Sequence, residues 1–405
     1  MDYTTQPITF RLRKALRYVR LYGIGRTLIK TQGQYHMKKR YAALPEMRAL
    51  SVDARHVGII GCGNFAFSNI AYYLNKNYGQ VIRAAMDVDV HRAASLFEKY
   101  GASYYTTDAE RVISDPAIDL VFIASNHASH AEYAIRALER GKHVHIEKPH
   151  VVTDDQLIRL CSTMLEAKGK VALGFNRPNS RIGREIKRHL DSQTGAAMYN
   201  WFIAGHEMPG DHWYFKEEEG GRVLGNLCHW TDFVFQMMPP ERRYPITIRP
   251  TRALQSDCDI AVTYTFGDGS IAAITFSAKG HTFEGVRERF AAHRGNVLIS
   301  MDDFKDLVIE VIDKKYVTSP LFRDHGHEQN IRNSYEMVRA RRHDEVKPGC
   351  SVDYVWETAQ LFLKTREALE EDKTITLEPF EPSVLQTTVW SQESRVSSQK
   401  KGSAV

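Results

Sequence analysis

The residues best suited to chemistry begin with a glycine-rich turn, His56-Val-Gly-Ile-Ile-Gly61-Cys-Gly63-Asn64-Phe65-Ala66. Gly61 permits a tight turn from strand to helix, Gly63 lets a pyrophosphate approach the backbone, and Ala66 keeps the helix close to the strand. The N-terminus of the following helix offers unpaired N–H groups and a positive dipole end to phosphates. The turn therefore predicts a dinucleotide-binding site.

A second apolar strand ends at Asp87, 24 residues beyond Gly63. In dinucleotide-binding folds an acidic residue about 20 residues after the turn contacts the ribose 2′-hydroxyl. A carboxylate there repels a 2′-phosphate, so NAD is favoured over NADP, although Arg83 and Arg92 lie near enough in sequence to keep NADP open. The alternative is that Asp87 is a solvated loop carboxylate.

Polar clusters follow two further strands, Ser125-Asn126-His127 with His130, and Glu147-Lys148-Pro149. In parallel sheets ligands bind beyond the carboxyl ends of the strands, so these clusters and Asp87 predict one site. Proline restricts its own backbone and that of the preceding residue, which would hold Lys148 in one direction as a proton donor or relay. A surface lysine is the alternative.

A second motif runs from Glu217 to Asp232 and carries His229. The apolar spacing predicts a buried helix opening after Gly225, with Asn226 as its N-cap and His229 in its first turn. A helix N-terminus disfavours imidazolium and would keep His229 available as a base, although a packed core histidine fits the pattern equally well.

A polar and aromatic loop, Asp211-His212-Trp213-Tyr214-Phe215, precedes this motif and supplies candidate sugar contacts. Packing within a lid is the alternative for Trp213 and Tyr214. Asn176 and Arg177 follow another strand, and Arg177 can hold a phosphate or carboxylate bidentately. We expect no metal, because the histidines of this region are too widely separated.

Alternating strands and helices over 55–176 predict a doubly wound parallel sheet of the Rossmann type. From 177 to 380 strands dominate, which predicts an α+β domain with a large open mixed or antiparallel sheet, flanked late by helices near 329–340 and 355–369. The open sheet face could join copies into a homo-dimer or homo-tetramer. Residues 1–54 form a separate, partly helical arm, and 381–405 a flexible tail.

The charge of the chain is concentrated in the arm. The 405 residues carry a net charge of +5, and ten of the 54 Lys and Arg fall between Tyr3 and Pro45 without an acid, leaving 44 basic against 49 acidic residues elsewhere. Such a basic amphipathic helix could lie on an anionic membrane, dock on an acidic partner, or pack on its own domain or a neighbouring subunit; a transit peptide is a weaker alternative. Nucleic-acid binding is disfavoured, since no basic stripe continues beyond the arm.

Compartment is indicated by cysteine usage and hydropathy. Five scattered cysteines form no CxxC pair, and no apolar run reaches membrane-spanning length or resembles a secretory signal. These features predict a cytoplasmic protein with free thiols, with a peripheral membrane contact through the arm left open.

Taken in order, these motifs resemble the glucose-fructose oxidoreductase and inositol dehydrogenase (Gfo/Idh/MocA) family. The resemblance rests on the glycine turn, Ala-Ser-Asn-His-x-x-His-Ala-Glu, Gly-Lys-His-Val-His-Ile-Glu-Lys-Pro and Gly-Gly-Arg-Val-Leu-Gly-x-x-Cys-His-x-x-Asp, and covers roughly 55–375. It implies NAD(P)-dependent oxidation or reduction of a sugar, sugar nucleotide or cyclitol, with Lys148 as the active-site lysine and His229 as the catalytic histidine. The last motif resembles a branch found in polysaccharide-biosynthesis enzymes.

The resemblance departs at Gly225, where the family often has an aspartate. This leaves Asn226, His212 or Lys148 to hold a second substrate hydroxyl. Two other functions stay open: glycoside cleavage through a transient redox step on retained NAD, and a cofactor-binding regulator or scaffold without turnover.

Overall fold

The computed structural model describes residues 3–47, 54–252, 259–280, 282–339 and 346–385. Cys258 lies outside the described residues, as does the part of the predicted flexible tail that follows Leu385. The described cysteines Cys62, Cys161, Cys228 and Cys350 are free thiols.

The first sheet is parallel and six-stranded, with strand order β3-β2-β1-β4-β5-β6 and helices on both faces. Its strands are apolar and buried on both sides, as a parallel sheet covered by helices requires. The elements in chain order are β1 Val57–Ile60, α3 Tyr72–Tyr78, β2 Ile82–Met86, α4 Val90–Tyr100, β3 Tyr104–Thr106, α5 Ala109–Ile113, β4 Leu120–Ile123, α6 His127–Glu139, β5 His143–Ile146, α7 Asp154–Glu166 and β6 Val171–Leu173. The predicted doubly wound sheet is confirmed.

The second sheet is mixed and nine-stranded, in the order β14-β13-β12-β11-β7-β10-β9-β8-β15. Among the described strand pairs of this second sheet, only the β7–β10 pair is parallel. The elements are α8 Arg181–Asp191, β7 Ala197–Ala204, α9 Cys228–Met237, β8 Ile246–Arg252, β9 Asp259–Thr265, β10 Ile271–Ser277, β11 Arg287–Arg294, β12 Val297–Asp302, β13 Asp306–Val311, β14 Lys314–Thr318, α10 His327–Glu336, α11 Val352–Glu371 and β15 Ile375–Leu377. The predicted α+β fold is confirmed, and β13, β14 and β15 add strands that the sequence pattern did not indicate.

One face of the second sheet packs on α9 and α11, and the other is open. Along β7 buried and exposed residues alternate, which is the pattern of a sheet with one covered face. Helix α10 follows β14 in sequence but packs on α3 beside the first sheet, where Tyr335 stacks on Tyr78 with ring centroids 3.9 Å apart. The chain therefore returns to its first sheet before its last helix, and the boundaries 55–176 and 177–380 stay predictions.

The basic arm forms two helices, α1 Ile8–Tyr22 and α2 Ile24–His36, and both pack on the rest of the chain. Gly23, at φ +81°, ends α1, and its N–H bonds the carbonyl of Val19. The Lys14 ammonium donates to the Phe283 carbonyl at 2.9 Å, and Arg17 pairs with Glu284. Of the alternatives for the arm, packing on its own chain is what the structure shows.

The end of α2 is fixed on the first sheet by a buried histidine. The two ring nitrogens of His36 lie 2.9 Å from the Ser95 hydroxyl and 2.6 Å from the Cys62 carbonyl, and the ring stacks on Phe67. Burial lowers the pKa of His36, so the neutral ring donates one bond and accepts the other. No helix within the described ranges is long and apolar enough to cross a bilayer.

We expect His36→Ala to lower the free energy of unfolding by about 2–3 kcal/mol, because the change leaves buried polar groups unpaired and removes a stacked ring. Tyr35→Ala is the matched control, since Tyr35 is exposed, and should cost about 0.5 kcal/mol or less. Urea unfolding of both variants measures the difference. Equal stability of the two variants would contradict the docking of α2.

Candidate functional site

A cavity of about 630 Å³ lies above the carboxyl ends of β1, β2, β4 and β5. The sequence-predicted cofactor residues that line it are Gly61, Gly63, Asn64, Phe65, Asp87, Ser125, Asn126, His127, His130, Glu147 and Lys148. Ala66 is fully buried beneath the turn, as a residue that brings helix and strand together must be. The predicted convergence of strand ends is thus observed.

The two glycines of the turn meet different constraints. Gly61 has φ +88°, and a Cβ there would lie 2.4 Å from the carbonyl oxygen of Ala124. At Gly63 a Cβ would meet nothing within 4 Å, so that position faces open space. The backbone therefore offers a free surface where a pyrophosphate would lie, and the residues present fit a dinucleotide.

Asp87 is buried at the end of β2. Its carboxylate accepts hydrogen bonds from the Cys62 N–H at 2.7 Å and the Asp89 N–H at 2.9 Å, so the alternative of a solvated loop carboxylate is wrong. Arg92 lines the same cavity, whereas Arg83 is paired with Asp115 at 2.7 Å. Of the two arginines that could offset the carboxylate, Arg92 is the one at the site.

Lys148 reaches from β5 to the second half of the chain. Its ammonium donates to the carbonyl of Gly225 at 2.7 Å. Burial lowers the pKa of Lys148. The opposing effect of Tyr214, Cys228 and Glu147 is larger, so the pKa of Lys148 lies above its ordinary value. Lys148 therefore carries its charge at neutral pH.

The departure at Gly225 has a steric reason. A Cβ at this position would lie 2.7 Å from both the His127 ring and the Tyr214 ring. A side chain such as that of aspartate does not fit here. The Lys148 ammonium instead donates its hydrogen bond to the backbone carbonyl of Gly225. Asn226, one residue on, has a buried Oδ1 with no hydrogen-bond partner among the residues described, which suits it to a ligand hydroxyl.

His229 lies deeper in its helix than the sequence pattern predicts. The helical run begins at Gly221, passes through a π-helical segment Val223–Leu227 and continues as α9, so Asn226 is inside the run and does not cap it. The predicted N-cap at Asn226 is wrong, whereas His229 is the second residue of α9, which continues a helical run already begun at Gly221. The dipole of the helix N-terminus is therefore not what keeps the His229 imidazole neutral.

Burial and neighbouring cations keep the His229 imidazole neutral. Its pKa lies well below the ordinary value because of burial first, then Arg177, Lys148, His327 and His325. Its Nδ1 is buried without a hydrogen-bond partner within the described part of the chain. A buried nitrogen without a partner of this kind is available to a ligand hydroxyl.

The aromatic loop closes over the cofactor cavity. Trp213 and Tyr214 line that cavity, and their ring centroids lie 4.8 and 4.6 Å from that of His127. His212 accepts a hydrogen bond from the Tyr214 N–H at 3.2 Å and so shapes the loop. Contact with the cofactor end of the cleft is what the structure supports for Trp213 and Tyr214.

Glu219 joins the two halves of the chain and was not predicted. Its carboxylate accepts from the Asn126 side-chain amide at 2.6 Å and the Ala128 N–H at 3.3 Å, and its backbone carbonyl bonds His127. The carboxylate lies at the positive N-terminal end of α6. The acidic run at 217–219 was visible in the sequence, but nothing in it showed which acid would be buried.

Arg177 lines a second cavity and lies near His229, whose pKa it lowers, and Asn176 precedes Arg177 in the chain. The Asn176 side-chain amide donates to the His325 carbonyl at 2.5 Å, and the Arg177 Nε donates to Glu288 at 2.6 Å. Arg177 and His325 hold the pKa of the buried Glu288 at about 2 despite burial, which raises it. The Arg177 charge is thus already balanced, and Glu288, His325 and His327 are site residues that the sequence analysis missed.

Among the residues with described placement, no group of three His, Cys, Asp or Glu side chains could hold a metal ion. In particular, no such group is formed by His206, His212, His229 and Asp211.

We expect Gly61→Ala and Gly63→Ala to separate folding from dinucleotide binding. Gly63→Ala should leave the thermal unfolding midpoint within a few degrees but weaken NAD binding at least tenfold, because its methyl group occupies the open space beside the turn. Gly61→Ala should lower the midpoint as well, since its methyl group overlaps backbone. Calorimetric titration and thermal unfolding measure both; unchanged NAD affinity in Gly63→Ala would contradict this site.

The chain is similar to curated proteins over about a third of its length. Residues 55–175 match the family described as "Oxidoreductase family, NAD-binding Rossmann fold" (GFO_IDH_MocA). Oxidoreductase P35 of Formosa agariphila is 34% identical over 139 residues, which are 34% of this chain and 43% of that protein. Inositol 2-dehydrogenase of Burkholderia cenocepacia is 31% identical over 146 residues, covering 35% of this chain and again 43% of that protein. The chain thus spans less than half the length of both relatives.

Solved structures resemble the chain over both sheets. Levoglucosan dehydrogenase in complex with NADH and levoglucosan superposes with a TM-score of 0.68 at 16% identity, covering 80% of this chain and 99% of that one. GenD2 from gentamicin A biosynthesis in complex with NAD gives 0.65 at 17% identity, covering 83% and 100%. At these identities the likeness concerns the fold, and the family follows from the sequence match: residues 55–175 form an NAD-binding Rossmann domain of the Gfo/Idh/MocA oxidoreductase family.

Proposed function

We propose that this chain is an NAD-dependent oxidoreductase that transfers hydride between nicotinamide and a ring CH–OH carbon of a sugar, sugar nucleotide or cyclitol. The observation that carries the proposal is a charged ammonium and a neutral, buried imidazole brought together from the two halves of the chain. Lys148 bonds the carbonyl of Gly225, four residues before His229 in the same helical run. Inositol 2-dehydrogenase and levoglucosan dehydrogenase, which the chain resembles, are dehydrogenases of such ring compounds by name.

The proposed roles follow from the protonation states. In the oxidative direction the neutral His229 imidazole accepts the proton of the substrate hydroxyl, while the Lys148 ammonium donates a hydrogen bond to the same oxygen and stabilises its developing negative charge. NAD, when bound, accepts the hydride from the ring carbon, which becomes a carbonyl. In reduction the proton returns from His229 to oxygen.

The remaining predicted contacts divide between the two ends of the cleft. Trp213 and Tyr214 cover the cofactor end, where they exclude water from the hydride path. Asn226 offers its buried Oδ1 to a second substrate hydroxyl, in place of the aspartate that Gly225 excludes. The motif from Gly220 to His229 supports a place in polysaccharide or glycoconjugate biosynthesis.

We expect Lys148→Met and His229→Asn each to lower kcat by about 10²–10⁴-fold, and His229→Asn to leave NAD affinity and the unfolding midpoint little changed. Lys170→Met is the matched control, because the Lys170 ammonium bonds the Met337 and Lys347 carbonyls outside both cavities. NADH formation is followed by absorbance over a panel of sugars, nucleotide sugars and cyclitols.

Three outcomes would overturn the proposal. Full turnover by either site variant would remove the assigned roles. Sugar release without net NADH would indicate glycoside cleavage, and bound NAD without turnover across the panel would indicate a regulator or scaffold.

We also propose that the open face of the nine-stranded sheet joins two copies of the chain. The register places Leu298, His293, Met198 and Ile271 in one row across β12, β11, β7 and β10. Its three apolar members are exposed, as is Phe202 on β7. Several exposed apolar side chains on one open sheet face are typical of a protein interface.

We expect Met198→Lys to shift the chain toward monomer, because it places a charge in the middle of this row. Leu321→Lys, at an exposed position outside the sheet, should leave the assembly unchanged. Light scattering coupled to size exclusion measures the mass. A wild-type monomer, or a Met198→Lys variant with wild-type mass, would contradict this interface.

A further inference from the structure

The basic arm forms one wall of the second cavity. This cavity measures about 870 Å³ and is lined by α1 and α2 of the arm, by α3, by β11 and by the segment before α10. Tyr22, Arg26 and Lys30 line it from the arm, opposite Arg177, His325 and His327. The last three also lie near the proposed catalytic imidazole, since each of them lowers the pKa of His229.

Most charges around this cavity are already balanced by carboxylates. Arg177 pairs with Glu288 at 2.6 Å, Arg323 with Glu284 at 3.0 Å and Lys76 with Glu328 at 2.9 Å. The Asp324 carboxylate accepts from the N–H groups of Arg181 and Gly326. These acids are therefore engaged.

Arg26 and Lys30 have no carboxylate partner within the described ranges. Arg26 donates to the Ser68 carbonyl and the Asn69 side chain, both neutral, and lies over the Tyr73 ring. The Lys30 ammonium lies 4.7 Å from the centroid of the Tyr22 ring. Burial, with Arg26 and Arg323 nearby, lowers the pKa of Lys30 to about 7. Lys30 is therefore only partly protonated at neutral pH, and an anion bound beside Arg26 and Lys30 would favour its charged form.

The volume agrees with a ligand larger than a free monosaccharide. Cavities of roughly 300–1,000 Å³ hold ligands of drug size. A sugar ring at His229 leaves the arm side of the cavity for a further group.

We propose that the arm completes the substrate site, with Arg26 and Lys30 binding an anionic group, a phosphate or a carboxylate, carried by the substrate whose ring carbon reacts at His229. This inference rests on the proposed function, since it places the substrate in the cavity next to that imidazole. The basic arm then selects charged sugar derivatives over neutral sugars.

The test is calorimetric titration of the NAD-saturated full chain with inorganic pyrophosphate, UDP-glucose, glucuronate and glucose. We expect the chain to bind at least one anionic probe at least tenfold more tightly than glucose. Which of the anionic probes binds distinguishes a diphosphate from a carboxylate as the recognised group.

The variants Lys30→Met and Arg26→Met should each weaken anionic binding about tenfold, while NAD affinity stays the same. Arg20→Met is the matched control, because it removes an exposed cation of α1 that does not line the cavity, and it should change nothing. Unfolding midpoints show whether the arm stays docked in each variant.

Failure of this inference and failure of the proposed function have different signatures. No anionic binding by the wild-type chain, or anionic binding unaffected by Lys30→Met and Arg26→Met, would overturn the inference. Turnover of neutral sugars that is indifferent to both variants would overturn it and keep the proposed function. Anion binding that depends on Lys30 without NADH formation on any substrate would keep the inference and overturn the proposed function.

Discussion

The hydrogen bond between the Lys148 ammonium and the Gly225 carbonyl is the interaction on which the site depends. It joins the end of β5 in the first sheet to the helical run that carries His229, and it requires a glycine, because a Cβ at Gly225 would overlap the rings of His127 and Tyr214. The His127 and Tyr214 rings that exclude a Cβ at Gly225 also line the cofactor cavity. A single residue without a side chain thus lets the two halves of the chain approach closely enough to share one site.

Positive charge dominates the electrostatics of this site. Lys148 is charged, Arg177 is held by the buried Glu288, and burial with these cations keeps the pKa of His229 well below its ordinary value. A neutral imidazole beside an ammonium is the pair that proton removal from a hydroxyl requires. An anionic substrate would relieve the excess charge and make protonation of His229 less unfavourable.

The basic residues of the arm fall into two groups, one that attaches the arm to the rest of the chain and one that lines the second cavity. Lys14 and Arg17 bind the Phe283 carbonyl and Glu284 and so attach α1 to the second half of the chain. Arg26 and Lys30 line the cavity instead. The net positive charge of the arm is therefore partly structural and partly available to a ligand, which composition alone does not distinguish.

The sequence by itself determined the elements whose signals are local. The Gly61 turn, the apolar strands after it and the polar ends at Asp87, Ser125 and Lys148 follow from steric demands and periodicity, and the structure agrees with them to within a residue or two. Strands β3 and β13 to β15 and the early start of the helical run at Gly221 were missed, since strands of three to six residues and π-helical turns leave little room for a periodic pattern. Tertiary structure alone decided which distant groups meet: Glu219 with Asn126, Glu288 with Arg177, and the arm with the second cavity. The physical reason is that burial and charge pairing depend on contacts between residues far apart in the chain, and no local pattern encodes which of many similar charges is desolvated.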